Sequence, residues 1–505
     1  VYAFDLSVRA AYLDGTRGYF NGPAVFLCPA GRERAPCVVD IARPEGPGFD
    51  GWRVATTLPS AGAPPWGFGL YAAADYDELI DHPVTAGRFD LAQFTAGGVP
   101  HDIAVSGRHA ADLPRLAADL ARVCQWQVEL FGGAPFPRYL FEVVAVGDGY
   151  GGLEHRSSTS LVCRRDELPH AGADGIGDDY LNFLGLASHE YFHAWNVKRI
   201  KPAAFAPYDL ARENYTRQLW AFEGLTSYYD DLALARCGLV PPERYLELLG
   251  RTITTVLRTP GRHRQSVAES SFDAWIKYYR QDENTPNAGV SYYAKGALVG
   301  CALDLALRRE GRATLDDLMR ALWERYGRRD VGVPEDGIAA LASELAGRDM
   351  ADFFARYVDG TEDPPLPELL ADFGVVYHLR PAGDARDRGG KPGTGTPPRC
   401  SLGVRTGPDQ RLAFVRRDGP AARAGLSAGD TLVAVGGLKA TPERVAAVLA
   451  QRAPGDTVDV HAFRRDELMT FAVALAPAPA DTCWLSLAVE VPPETLARRR
   501  AWLGG

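Results

Sequence analysis

Two histidines four residues apart in an apolar stretch restrict this chain more than any other feature. In Ser188-His189-Glu190-Tyr191-Phe192-His193 the i, i+4 spacing puts both imidazoles on one side of a helix, about 6 Å apart. That separation lets both rings reach one tetrahedral metal ion. The neighbours Leu184, Leu186, Phe192 and Trp195 are apolar, so the rings are buried and need polar partners. Glu190 directly follows the first histidine and is badly placed to ligate. It can instead take a proton from a water whose pKa the ion lowers. This is the arrangement of metal-dependent peptide hydrolysis. Among ten histidines such a pattern arises by chance in roughly one protein in a hundred, so a pair of ordinary core or surface histidines is the competing reading.

A third ligand has to come from another element. Glu223 stands in Leu219-Trp220-Ala221-Phe222-Glu223-Gly224-Leu225, where a carboxylate is costly unless it is paired or metal-bound. Two histidines and one glutamate leave the fourth position open, as a catalytic site requires. That donor set favours Zn2+ over other divalent ions.

The rest of the chain is organised around these helices. With 505 residues, two to four domains are expected. Residues 1–105 read as a β-rich domain, with alternating segments at 2–8 and 24–28 between turn signals such as Asn21-Gly22. A helix is predicted over 112–130, a buried strand over 139–146 and a glycine-rich corner at 147–152. Helices at 180–196 and 218–235 complete a catalytic domain spanning 106–240. A helical domain, 241–380, contains helices at 292–309, 315–326, 335–345 and 350–357. Residues 381–399 are Pro, Gly and charge and read as a linker. A small module, 400–480, and a C-terminal tail, 481–505, follow. The fold class is multidomain α+β.

A formal net charge of −9 argues against nucleic acid as a partner, since phosphate neutralisation needs a basic face. No apolar run is long enough for a membrane span. The eight cysteines form no CxxC pair, and buried free thiols are the expected state for most of them. Cys28 with Cys37, or Cys400 with Cys483, could pair in an oxidising compartment.

The segment His189-Glu190-Tyr191-Phe192-His193-Ala194-Trp195-Asn196-Val197-Lys198-Arg199-Ile200-Lys201-Pro202 resembles the HExxHxWNVKRIxP signature of the glycyl aminopeptidase family (M61), gluzincin metallopeptidases related to the larger alanyl-type enzymes. Trp220-x-x-Glu223-Gly224 resembles that family's third-ligand helix. Glu223 lies further beyond His193 than the third ligand does in the larger relatives, and the connection 197–217 accounts for the extra length. Gly151-Gly152-Leu153-Glu154-His155 resembles the GxMEN motif of those relatives, whose glutamate binds the substrate's free α-amine. Here His155 replaces the asparagine. Tyr293-Ala294-Lys295-Gly296 resembles the segment whose tyrosine donates to the oxyanion. Tyr292 is adjacent, and the Lys-Gly spacing favours Tyr293. The resemblance implies a thermolysin-like zincin catalytic domain. It also implies a zinc aminopeptidase with His189, His193 and Glu223 as ligands and Glu190 as general base. Its substrates would be peptides with a free N-terminus and a small first residue, Gly or Ala. Proteins of this kind often carry export signals, so the expectation leans towards the periplasm with the cytoplasm still open.

Ser401-Leu402-Gly403-Val404, Gly419-Pro420-Ala421-Ala422-Arg423-Ala424-Gly425 and Gly429-Asp430 resemble a bacterial protease-type PDZ domain. The resemblance implies a turn at Leu402, Gly403 and Val404 that receives a peptide C-terminus, flanked by a helix at 442–451. Two other functions compete. One is an endopeptidase that recruits substrates through this module, and the other is a non-catalytic peptide-binding scaffold. An amine-binding Glu154 separates the first from an aminopeptidase, and an intact Glu190 with three ligand candidates speaks against the second.

Overall fold

The computed structural model describes residues 1–394 and 397–504. It divides into two compact units. The first comprises Val1–Asp209, Tyr229–Val240 and Asp316–Pro334, the second Leu210–Tyr228, Pro241–Leu315 and Glu335–Gly505.

In the first unit a five-stranded sheet has the order Gly151–Glu154, Ser158–Arg164, Tyr139–Val146, Val99–Ser106, Phe89–Ala96. The three central strands are parallel and both edge strands are antiparallel to their neighbours. Tyr139–Val146 is buried along almost its whole length, as a near-continuous apolar run in the middle of a sheet should be. The expected helix at 112–130 is Leu113–Phe131, capped at its start by the Asp112 side chain on the Arg115 N–H and closed by Gly132 at φ 72°. Gln127 on this helix donates to the Ser188 carbonyl and hydroxyl, both at 2.9 Å, and so fixes the histidine-bearing helix Asp178–Phe192.

The N-terminal region is β-rich, with a four-stranded antiparallel sheet (Ala11–Leu13, Arg17–Phe20, Val84–Gly87, Arg53–Ala55) and the pair Cys37–Ile41 and Gly69–Ala73. Two segments read as strands are not. Residues 24–28 follow a 3-10 turn at Gly22–Ala24, which Pro23 starts by fixing its own φ, and 2–8 makes only the isolated bridge of Phe4 to Tyr12. All eight cysteines are free thiols. No helix among the described residues is long and apolar enough to cross a membrane.

The second unit is helical around Pro242–Leu257 and Ala294–Glu310. Its C-terminal segment adds the strand Thr482–Leu487, paired antiparallel with Val375–Arg380, and the helix Pro493–Leu503. Trp502 is fully buried and its indole N–H donates to the Tyr228 hydroxyl at 2.8 Å. Residues 400–477 form a β-rich module with its own apolar cluster, including Leu402, Leu432, Val460 and Phe471. It has a four-stranded sheet, the hairpin Val404–Thr406 with Leu412–Val415, and the helix Pro442–Ala450. In the preceding Pro/Gly stretch Asp387 accepts N–H bonds from Gly383 and Gly389 and pairs with Arg380.

One buried group makes the fold pH-dependent. Glu142 sits in the central strand, accepts from the Thr85 hydroxyl at 2.5 Å, and is pushed by burial from 4.5 to about 8. The folded chain therefore holds a proton that the unfolded chain releases, a stabilisation complete below the unfolded value and lost as pH rises through the folded one. The urea midpoint of the first unit should fall between about pH 5 and about pH 8, and Glu142→Gln should flatten that slope. An unchanged slope in the variant would remove Glu142 as its source.

Candidate metal centre and active site

The helix Asp178–Phe192 begins with two acidic residues, which suit the positive end of its dipole, and ends with His193 as its C-cap. The chain then turns tightly, with the Lys198 N–H on the His193 carbonyl and the Ile200 N–H on the Trp195 carbonyl. This turn brings the Asn196 carbonyl to 2.6 Å from His193 Nδ1. A carbonyl oxygen only accepts, so Nδ1 carries the proton and Nε2 presents a lone pair. His189 Nδ1 lies 3.0 Å from the Asp230 carboxylate, which orients its Nε2 in the same way. Burial raises the Asp230 carboxyl and the His189 hydrogen bond opposes that rise.

The two Nε2 atoms stand 3.1 Å apart. Lone pairs that converge so closely repel unless a cation lies between them. Two nitrogens on one tetrahedral zinc at 2.0–2.1 Å would be about 3.3 Å from each other, so the pair fits such an ion.

Glu190 and His193 are buried. Ligand-type atoms of Glu154, Glu190 and His193 lie within 4.8 Å of one another. Glu154 reaches this position on the edge strand Gly151–Glu154, which passes directly over Glu190. A Cβ on Gly152 would stand 2.1 Å from Glu190 Oε1, so only glycine leaves the carboxylate room. His155, whose role the sequence leaves open, turns to a buried ion cluster. Its Nδ1 is 3.1 Å from Asp81 Oδ1, and Asp81 also takes Lys198 Nζ at 2.8 Å and Arg156 Nε at 2.9 Å. Burial alone would raise Asp81, yet Lys198, His155 and Arg156 hold it well below the usual carboxylate range. Arg199 donates to the carbonyls of Arg156, Ala194 and Pro135. Lys198 and Arg199 thus tie the glycine-rich strand to the turn that aims His193.

Glu223 lies in the five-residue π-helical turn Trp220–Gly224, which leads into the helix Leu225–Arg236. Such turns recur at functional sites because they re-aim side chains. Glu223 and Asp230 are seven residues apart, two turns along one run of helix. Behind Glu223, Gly224 packs on Gly296. A Cβ on Gly224 would meet the Gly296 backbone at 2.6 Å and the Tyr292 carbonyl at 2.9 Å. This contact joins the Glu223 turn to the start of the Tyr293 helix. Burial and then the charge of Glu223 push the Tyr293 hydroxyl well above its ordinary range. The Tyr293 hydroxyl is 2.9 Å from that of Tyr279, and its ring stacks on Tyr292 and Tyr278.

His189 and His193 belong to the first unit and Glu223 to the second. The module residues Leu402, Gly403 and Val404 form a turn whose Gly403 N–H is held by Ser401 Oγ at 3.0 Å and whose Leu402 carbonyl accepts from Ala421. Asp230 escaped the sequence reading. Its only signal there is the seven-residue step from Glu223. Asp230→Asn should weaken zinc affinity about 10–100-fold, as loss of a carboxylate behind a ligating imidazole does. Competition with a chromogenic chelator checks this, and unchanged affinity would contradict the assigned orientation of His189.

A family model described as M61 glycyl aminopeptidase matches residues 182–299, and one described as Peptidase M61 N-terminal domain matches 1–88. A solved aminopeptidase N family protein from Idiomarina loihiensis is 42% identical, with a TM-score of 0.94 over 100% of this chain and 85% of that one. An M1 zinc metallopeptidase from Deinococcus radiodurans is 14% identical, with a TM-score of 0.46 over 71% of this chain and 73% of that one. Aminopeptidase A from Legionella pneumophila, solved with aspartic acid, is 14% identical, with a TM-score of 0.47 over 74% of this chain and 40% of that one. By its full-length match to the Idiomarina protein and the two family models, this chain belongs to the M61 aminopeptidase family and is an aminopeptidase.

Proposed function

We propose that the chain is a zinc aminopeptidase that removes small N-terminal residues, Gly or Ala, from peptides. Its zinc ligands are His189, His193 and Glu223. The observation that carries this reading is the 3.1 Å pair of Nε2 atoms beside Glu190 and Glu154. Zinc, when bound, supplies a Lewis acid that polarises the scissile carbonyl and lowers the pKa of water. Glu190 takes the proton of the attacking water and passes it to the leaving nitrogen. Glu154 pairs with the free α-amine, which sets the cut one residue from the N-terminus. Tyr293 keeps its proton, because burial and Glu223 raise its hydroxyl, and so donates to the developing oxyanion. Gly152 keeps the edge strand close enough for Glu154 to reach the amine while clearing Glu190, whereas a Cβ on Gly151 would meet only Val8, at 3.8 Å. The preference for small residues is supported by the glycyl aminopeptidase model over 182–299.

The module at 400–477 is read as PDZ-like, with Leu402, Gly403 and Val404 as its carboxylate turn. Support comes from the glycine turn ahead of a short strand and from a helix, Pro442–Ala450, within the same small β-rich unit.

Hydrolysis of Gly- and Ala-p-nitroanilide beside their N-acetylated forms tests the activity. Only the free-amine substrates should be cut. Glu190→Gln should lower kcat by about 10²–10⁴, and Glu154→Gln should act mainly by raising KM. Cleavage of the blocked substrates would instead indicate an endopeptidase. Gly152→Ala, which displaces Glu190, should cost on the order of 10² in kcat with zinc content unchanged. Full activity in that variant would contradict the packing argument.

A further inference from the structure

The second unit contains a cavity of 1360 Å³, larger than the roughly 300–1,000 Å³ of ordinary small-molecule pockets. One wall runs from the end of the helix Pro242–Leu257 through Asp273, Tyr278 and Ser291. The other is the C-terminal module, from Ser401 to Pro420. Buried Asn287 joins the two walls, donating to the Val415 carbonyl at 2.9 Å and accepting from the Arg417 N–H at 3.0 Å. The module is thus hydrogen-bonded in place as a side of the cavity.

One end of the cavity lies beside Tyr293. Tyr278 lines it, bonds Ser291 Oγ at 3.2 Å, and stacks on the Tyr293 ring with centroids 5.7 Å apart. Ser291 and Ala294, which flank the Tyr292-Tyr293 pair in the chain, line it too. Large apolar side chains crowd the same segment, with Trp275 63% exposed, Ile276 54% and Tyr279 47%.

Its charge is unlike that of the protein. Seven cationic side chains line it against five carboxylates, although the chain carries −9. Several of those carboxylates are already committed. Asp481 pairs with Arg258, Asp273 with Lys277, and Glu269 caps the Ser266 N–H. Among the described residues no carboxylate lies within ion-pair distance of Arg264, Arg280, Arg388 or Arg416. Four guanidinium groups therefore face a cavity wide enough for an extended peptide.

An enzyme that removes one N-terminal residue must house everything beyond the scissile bond. We propose that this cavity receives that downstream part of the substrate, and that Arg264, Arg280, Arg388 and Arg416 select peptide carboxylates there. This rests on the aminopeptidase reading, with Tyr293 at the reacting bond. The favoured substrates are short peptides acidic beyond their first residues, or peptides whose own C-terminal carboxylate reaches the arginines. Aromatic and aliphatic side chains beside the cavity hold the intervening backbone.

Alanine-led hexapeptides ending in three Glu, three Gln or three Lys test the selection, with a C-terminal amide of the Gln peptide to separate side-chain from terminal carboxylates. The Glu peptide should exceed the Lys peptide in kcat/KM by about tenfold or more, and the advantage should shrink as salt is raised. The double variant Arg280→Glu/Arg416→Glu should remove the advantage through KM while leaving Ala-p-nitroanilide, which has no downstream residues, unchanged. A loss confined to the free-acid Gln peptide against its amide would assign the arginines to the C-terminus. Equal rates on all peptides, or equal losses on peptides and p-nitroanilide, would overturn the proposal. Calorimetric binding of the Glu peptide to Glu190→Gln protein keeps the two readings apart. If no substrate is turned over, the aminopeptidase reading fails, while binding lost in the charge-reversed protein would still support the cavity and absent binding would overturn it.

Discussion

Two imidazole nitrogens facing each other at 3.1 Å are a repulsive contact unless a cation separates them, and much of the first unit serves to hold them there. Each ring is fixed from behind, His189 by the Asp230 carboxylate and His193 by the Asn196 carbonyl. Behind those stand further supports. Gln127 holds Ser188, Ser188 Oγ donates to the Asp230 carbonyl at 2.8 Å, and the turn 194–200 is locked by Arg199 and the Asp81 cluster. A metal site gains affinity when its ligands need no reordering on binding. Here the ordering is done by hydrogen bonds within the fold.

Glycines place the remaining groups by permitting contacts that no other residue allows. Gly152 lets the edge strand pass within touching distance of Glu190, so Glu154 and Glu190 share one small volume. Gly224 and Gly296 let two helical segments meet backbone to backbone, which brings the charge of Glu223 to bear on Tyr293. A side chain at any of these positions would force its neighbours to shift, and catalysis is highly sensitive to misplacement on the order of an ångström.

The elements carrying the site were legible because their periodicity was strong. The apolar runs at 112–130 and 139–146 are found where expected, and the helix expected over 180–196 runs Asp178–Phe192, ending early with His193 as its cap. Residues 24–28 misled, since alternation over five residues says little when Asn21-Gly22-Pro23 has already started a 3-10 turn. Asp230 was hidden because it looks like a surface acid next to Asp231, and the Asn196 carbonyl because backbone atoms leave no mark in a sequence. The purpose of Gly152 was equally hidden, since it depends on a glutamate thirty-eight positions later. The arginines of the large cavity come from four separate segments, which no local pattern could gather.

What the paired imidazoles hold decides whether this is a zinc site. Zinc K-edge X-ray absorption on protein purified without added metal addresses this directly. The predicted result is one zinc per chain, bound by two imidazole nitrogens at about 2.0–2.1 Å with oxygen donors and no sulfur. A spectrum with sulfur at about 2.3 Å, or protein without zinc that fails to take it up, would contradict the assignment of His189, His193 and Glu223.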